Sequence, residues 1–192
     1  MRFTNQGQDI ARTGGRLTAG MLLLAHPTME DPRFRRTVIL LTAHADGGSL
    51  GVILNQPTGR TLGQLNKGSE SDALAAIPLY TGGPVDPEQI ILTAWKWAEL
   101  DSSFQLYFGI DGDKAGKLQA SDPTYTLRGF FGHAGWSEGQ LQAEYDQGAW
   151  LISPLSPAIE ELGGDALWRL LIGEVSPKMR LLAEEPDDPS IN

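Results

Sequence analysis

Cysteine is absent from this chain, which removes a thiol nucleophile, a disulfide framework and every thiolate-held metal. Histidine is scarce. Only His26, His44 and His133 occur, each near the end of an expected strand and beside a turn. Gathered at one rim with Asp31, Asp46 or Glu138 they would make a metal or acid–base site. No local spacing supports that, and neither a metal nor a cofactor is expected. Long apolar runs are missing too: none approaches the roughly 20 residues of a membrane-spanning helix, and residues 1–15 lack the apolar segment of a secretory leader. The chain is therefore expected in the cytoplasm, with no membrane partner. Positive charge is in short supply, since 15 Lys and Arg face 24 Asp and Glu for a net charge of -9. Two polyanions repel, so a nucleic acid partner is not expected.

What the chain does have is a core-forming composition. At 192 residues with 41% hydrophobic content it is sized for one domain. The stretch from Gly20 to Pro57 organises it. Three apolar runs of strand length, Met21 to Ala25, Thr37 to Ala43 and Ser49 to Leu54, are separated by residues that break helices. Ala45-Asp46-Gly47-Gly48 predicts a tight hairpin between the last two runs. His26-Pro27 and Asp31-Pro32 predict an exposed excursion over Pro27 to Phe34. Arg33, Arg35 and Arg36 follow, with Glu30 and Asp31 at hand to neutralise them.

Further along, short helices are expected over Thr61 to Leu65 and, capped by Ser69, over Ser69 to Ala76. Strands are expected at Leu79 to Thr81, Ile90 to Trp95 and Phe104 to Ile110, the last alternating in the period of a half-buried strand. A strand through Phe131 is expected to enter a glycine loop, with the capping-box spacing of Ser137 and Gln140 starting a helix at Glu138 that Gly148 closes. A strand over Ala149 to Ile152 and helices over Ala158 to Leu162 and from Asp165 to Ile172 complete the body, with Leu167, Leu170 and Leu171 facing inward. Residues 1–15 read as a flexible leader, 16–183 as a single domain and 184–192 as an acidic mobile tail. An antiparallel hairpin among scattered short helices makes the fold class α+β.

Three motif tests fail. Asp111, Asp113, Gly116 and Asp122 fall at calcium-loop positions 1, 3, 6 and 12, but Ala115 occupies position 5 and the last carboxylate is one methylene short, so a helix capped by Asp111 or Asp113 is expected instead. Glycines 129, 132, 135 and 139 match neither the dinucleotide fingerprint nor a P-loop and read as positions of close backbone packing. G-x-S-x-G is absent.

The segments GMLLLAHP, DPRFRRTVILL and HADGGSLGVILNQP within residues 20–57, YTGGPV at 80–85 and GHAGWSEGQLQAE at 132–144 resemble the AlgH/YqgE family of bacterial proteins of unknown function. The resemblance implies a single domain built on a bifurcated mixed, largely antiparallel β-sheet folded into a pseudo-barrel, with short helices packed outside. It implies no established activity, cofactor or ligand. The family name carries a transcriptional association that no helix-turn-helix or basic face accompanies here. His133 stands where the family commonly has an aromatic residue and Gln56 where it commonly has a basic one.

The functional expectation is a non-catalytic binding module for an unknown small molecule or protein. Arg36, His44, Asn55, Trp136 and Gln140 would line its groove, with cations to engage an anion, amides to orient it and an indole as an apolar wall. Its physical rival has these side chains bonding to neighbouring loops and holding the pseudo-barrel closed. An enzyme using His44 with Asp31 or Asp46 on a phosphorylated or carboxylated substrate is the alternative from another class, and DNA-binding regulation is a third. The oligomeric state is not read from the sequence.

Overall fold

A computed structural model describes residues 2–4, 16–65, 72–98 and 103–184. The strands are β1 (Arg2–Thr4), β2 (Leu22–Ala25), β3 (Val38–Ala45), β4 (Gly48–Ile53), β5 (Pro57–Thr61), β6 (Pro78–Thr81), β7 (Val85–Ala98), β8 (Ser103–Ile110), β9 (Thr126–Trp136) and β10 (Trp150–Ser153). The helices are α1 (Leu62–Leu65), α2 (Asp72–Ala75), α3 (Gly112–Ser121), α4 (Gln140–Asp146), α5 (Ala158–Glu161), α6 (Gly164–Val175) and α7 (Arg180–Glu184), the last two joined by a 3-10 turn at Pro177–Met179. The expected cap Ser69 lies outside the described residues, as do residues 185–192 of the expected tail and residues 5–15 of the expected leader. Arg2–Thr4, inside that leader, pair antiparallel with β8, Phe3 opposite Phe104.

The three organising runs form β2, β3 and β4 side by side, antiparallel throughout. The β3–β4 hairpin closes as its sequence predicts, with Ala45 opposite Gly48. Gly48 takes a φ of 127°, and a Cβ there would sit 2.5 Å from the Trp136 carbonyl oxygen, so the corner needs glycine twice over. Every residue of β2 is buried, because helices or loops cover both faces of this part of the sheet; unbroken apolar runs are what such strands require.

The sheet runs in the order β1-β8-β7-β9-β4-β3-β2-β10 and curls into a half-barrel. It forks at β9. The first part of that strand lies between β7, antiparallel, and β6, the one parallel neighbour among the described strands. Beyond Gly132, whose φ is 65°, Ala134–Trp136 pair with β4 instead. The fold is thus the bifurcated, mixed and largely antiparallel α+β arrangement expected.

Several local expectations are corrected. The strand does not stop at Phe131: Gly132 and Gly135 of the expected loop lie within β9, and at Gly129 and Gly132 the neighbouring segments leave no room for a side chain. A Cβ at Gly132 would meet the carbonyl oxygens of Val85 at 2.5 Å and Gly83 at 2.6 Å, and one at Gly129 would meet Leu79 Cδ2 at 2.5 Å. The next helix begins at Gln140, two residues late, because Gly139 with φ 71° is its N-cap. Only part of the capping box forms: the Ser137 N–H donates to Gln140 Oε1 at 3.0 Å, and the Ser137 hydroxyl contacts the same oxygen at 3.1 Å. Leu170 is 40% exposed rather than inward, since the buried stripe of α6 is Leu167, Trp168, Leu171 and Ile172 and position 170 falls on its flank. Asp111 caps α3, accepting from the Lys114 N–H at 2.7 Å, which employs the first would-be calcium ligand as a helix cap.

The core has three parts. One sheet face, shared by both arms of the fork, packs Leu22, Leu40, Trp95, Phe104 and Phe130 against Trp168, Leu171 and Ile159 of α5 and α6. The opposite face of β2–β4 packs Leu23, Ile39, Leu41 and Ile53 with Trp136, Trp150 and Leu141 of α4. The third joins Ala94 and Leu127 to Leu62, Leu74 and Ala115 of α1–α3.

Candidate functional site

Arg36 and Asn55 meet at one end of the β3–β4 hairpin. Asn55 is 2% exposed. Its Oδ1 accepts from the Val38 N–H at 2.8 Å, and its Nδ2 donates to the Arg36 and Gly164 carbonyls, both at 2.9 Å. Its own carbonyl accepts from the Gly164 N–H at 2.9 Å. One amide side chain thus fastens the end of the excursion loop, the start of β3 and the first turn of α6. Arg36 is held in a left-handed conformation, φ 54°, rare for a residue with a side chain. Its guanidinium donates to Asp165 Oδ2 at 2.7 Å and lies 5.7 Å from the Trp168 ring centroid, while the Trp168 indole donates to the Ala25 carbonyl at 2.8 Å.

Trp136 and Gln140 converge on a residue the sequence did not single out, Glu144. Its Oε2 accepts from both the Trp136 indole at 2.9 Å and the Trp150 indole at 2.8 Å, and its Oε1 accepts from Gln140 Nε2 at 2.9 Å. The two indoles pack edge to face at 5.9 Å, and Phe34 of the excursion loop packs edge to face on Trp150 at 5.8 Å. That row of rings is the link between the two groups of motif residues. A Schellman closure at Gly148, φ 78°, turns the chain from α4 into β10 and so delivers Trp150 to the carboxylate; the Gly148 and Ala149 N–H groups donate to the Tyr145 and Glu144 carbonyls, both at 2.9 Å.

His44 is exposed at the turn end of the hairpin, with Nδ1 2.7 Å from Ser49 Oγ. Ser49 is 5% exposed and pairs across the sheet with Trp136. No carboxylate orients His44 among the described residues, so the pair lacks the third member that activates a serine. Asp31, the other proposed partner of His44, is bidentate to Arg33, at 3.0 Å to Nε and 2.7 Å to Nη2. Those side-chain bonds, with a further one from the Arg33 backbone, hold the Asp31 carboxyl below its usual range. The five selected residues therefore fall into two groups, Arg36 with Asn55 and Trp136 with Gln140, and His44 borders the second through Ser49. No group of three or more potential metal-ligating side chains comes together among the described residues.

A third buried polar centre also escaped the sequence. Arg128, 6% exposed, lies over the faces of Tyr80 at 4.6 Å and Trp95 at 4.9 Å. It donates to the Ile159 carbonyl at 2.8 Å and the Leu54 carbonyl at 3.4 Å. Burial pushes its guanidinium below the ordinary arginine value, against the opposing pull of Tyr80 and Glu160. The available signal was alternation: Arg128 shares a strand face with Phe130, so an arginine stands where a core residue is due.

The sequence pattern of the AlgH-like family matches residues 22–180. The chain belongs to the AlgH-like family. Among its relatives, a UPF0301 protein of Chlorobium luteolum is 33% identical over 185 residues, covering 92% of this chain and 96% of that one. A UPF0301 protein of Streptomyces avermitilis is 32% identical over 186 residues, covering 90% and 94%. The solution structure of the AlgH protein from Pseudomonas aeruginosa superposes with a TM-score of 0.62 at 25% identity, covering 88% of this chain and 95% of that one. The crystal structure of protein DIP2367 from Corynebacterium diphtheriae gives 0.68 at 24%, covering 88% and 93%, a likeness of fold. In this AlgH-like chain the resemblance motifs and the polar clusters coincide: Asn55 and Arg36 come from the first motif, Trp136, Gln140 and Glu144 from the last.

Proposed function

We propose that this AlgH-like chain is a non-catalytic cytoplasmic binding module whose motif residues fix a recognition surface in place rather than touch what binds. Arg36, Asn55, Trp136 and Gln140 spend their hydrogen bonds on neighbouring segments. The segment they hold is the excursion from Pro27 to Arg36, where Thr28, Glu30, Arg33 and Arg35 are exposed. The observation that carries the reading is the left-handed Arg36, a conformation that persists where surroundings over-determine it and that concentrates at sites where shape matters. Arg33 and Arg35 are exposed arginines on an otherwise acidic chain, and a carboxylate or phosphate, on a small ligand or on an acidic stretch of a partner protein, would compete with Asp31 for the guanidinium of Arg33. His44, at the other end of the hairpin, is outside this surface. No helix among the described residues is long and apolar enough to cross a membrane.

The test is a thermal-shift screen of carboxylated and phosphorylated metabolites and acidic peptides, followed by calorimetric titration of any hit. The expected result is a ligand whose affinity falls at least tenfold, about 1.4 kcal/mol, in an Arg33→Ala, Arg35→Ala double variant that still unfolds at the wild-type midpoint. Hits indifferent to those arginines, or no hits, overturn the reading.

A further inference from the structure

The opposite end of the chain carries a different surface. Helices α6 and α7 pack at an angle around the 3-10 turn, leaving between them an open groove of about 430 Å³ lined by Arg169, Leu170, Gly173, Glu174, Arg180 and Glu184. Three exposed leucines belong to these two helices: Leu181 at 74%, Leu182 at 43% and Leu170 at 40%. Ala183 on the same short helix is 1% exposed, so α7 is anchored by one face while it offers leucines on another. Exposed leucines grouped beside a groove mark an interaction surface more often than scattered ones do.

Charge selects the occupant. A chain of net charge -9 repels its own copies except where a surface is locally balanced. The groove lining is balanced, with two arginines against two glutamates. Its internal pairing is weak: Arg180 reaches Glu184 at 3.2 Å, and Arg169 reaches only Asp165 on its own helix at 3.7 Å, all at exposed i,i+4 positions. Glu174 pairs with no cation among the described residues. The same patch therefore holds a protruding leucine, a recess floored by a glycine, and both signs of charge. Self-complementarity of that kind is what a two-fold contact between identical chains requires.

We infer that α6 and α7 form a homodimer surface on which Leu181 of each copy enters the groove of the other beside Gly173. Glu174 meets an arginine across the interface, and the leucines bury one another around the axis. Gly173 is the open floor: a Cβ there would meet only the flexible Arg180 side chain, at 3.7 Å.

The test is sedimentation velocity on the full chain over a wide concentration range, with two variants that act on opposite halves of the contact. Leu181→Glu removes the knob at a solvent-exposed position, and Gly173→Leu fills the hole. Wild type is expected to dimerise reversibly, and each variant alone to weaken dimerisation at least tenfold. A mixture of the two variants is expected to recover association, because the Gly173→Leu copy keeps its knob and the Leu181→Glu copy keeps its groove. A wild-type monomer at every concentration overturns the inference, including the case where another segment of the same chain fills the groove. A dimer unaffected by both variants, or a mixture that fails to associate, overturns it equally. Circular dichroism checks that both variants remain folded; should Gly173→Leu fail, Gly173→Ala with Leu170→Glu takes its place.

Discussion

Replacing Asn55 by alanine removes one side chain, strands the Val38 N–H and the Arg36 carbonyl, and takes from the Gly164 carbonyl the second of its two bonds, the first being that of its helix. An orphaned buried group costs about 1–3 kcal/mol, with carbonyls toward the lower end because each has a second lone pair. The sum is about 3–5 kcal/mol, a large share of the roughly 5–15 kcal/mol that holds a domain together. Equilibrium urea unfolding of wild type and variant measures it directly, as a shift in midpoint at constant slope. Aspartate at the same position separates bonding from shape. At neutral pH it keeps the acceptor for Val38 but turns a second charged oxygen toward two carbonyls, so Asn55→Asp is expected to be less stable than Asn55→Ala. Those carbonyls favour the protonated acid, which raises the pKa of the new carboxyl in the folded state, so the variant should regain stability as pH falls through that value. A loss below about 1 kcal/mol for the alanine variant, or an aspartate variant with no recovery in acid, refutes the view that this amide fastens the loop to α6.

Glu144→Ala leaves the Trp136 and Trp150 indole N–H groups without their shared acceptor and is expected to destabilise by about 2–4 kcal/mol with a change in tryptophan emission, whereas Glu144→Gln should lose about half as much. Asp122 is bonded by Lys96 and then by Thr124, which lower its carboxyl from the ordinary 3.8 to about 2. Its stabilising contribution is therefore complete above pH 3.8 and lost as pH falls toward 2, so thermal midpoints of wild type and Asp122→Asn should converge over that interval. Gly83→Ala forces a Cβ into the His133 carbonyl group at a backbone φ of 151° and is expected to cost more than about 3 kcal/mol, read as loss of soluble protein or an early unfolding midpoint.

The sequence disclosed those parts of the molecule whose causes are local. The hairpin at Ala45–Gly48, the Asp111 cap and the Gly148 closure each depend on residues a few positions apart. The end of β9 was hidden because its glycines answer to β6 and the start of β7, which approach only in three dimensions. The candidate residues were legible as residues and not as a site. Asn55 was selected as a ligand contact, yet its three side-chain partners include Gly164, 109 positions away. Glu144 showed only its i,i+4 neighbour Gln140, while the indoles that define its role arrive from two strands.

The fork in β9 also has a bearing on how the protein is made. β2, β3 and β4 leave the ribosome early, but the outer edge of β4 finds its neighbour only when Ala134–Trp136 emerge, long after β5 to β8 have been synthesised. During that interval the nascent chain carries an uncapped apolar sheet edge, open to pairing with another polypeptide. The opposite edge, β2, waits longer still, until Trp150–Ser153 emerge to pair with it, so the two open edges of this sheet are closed one after the other.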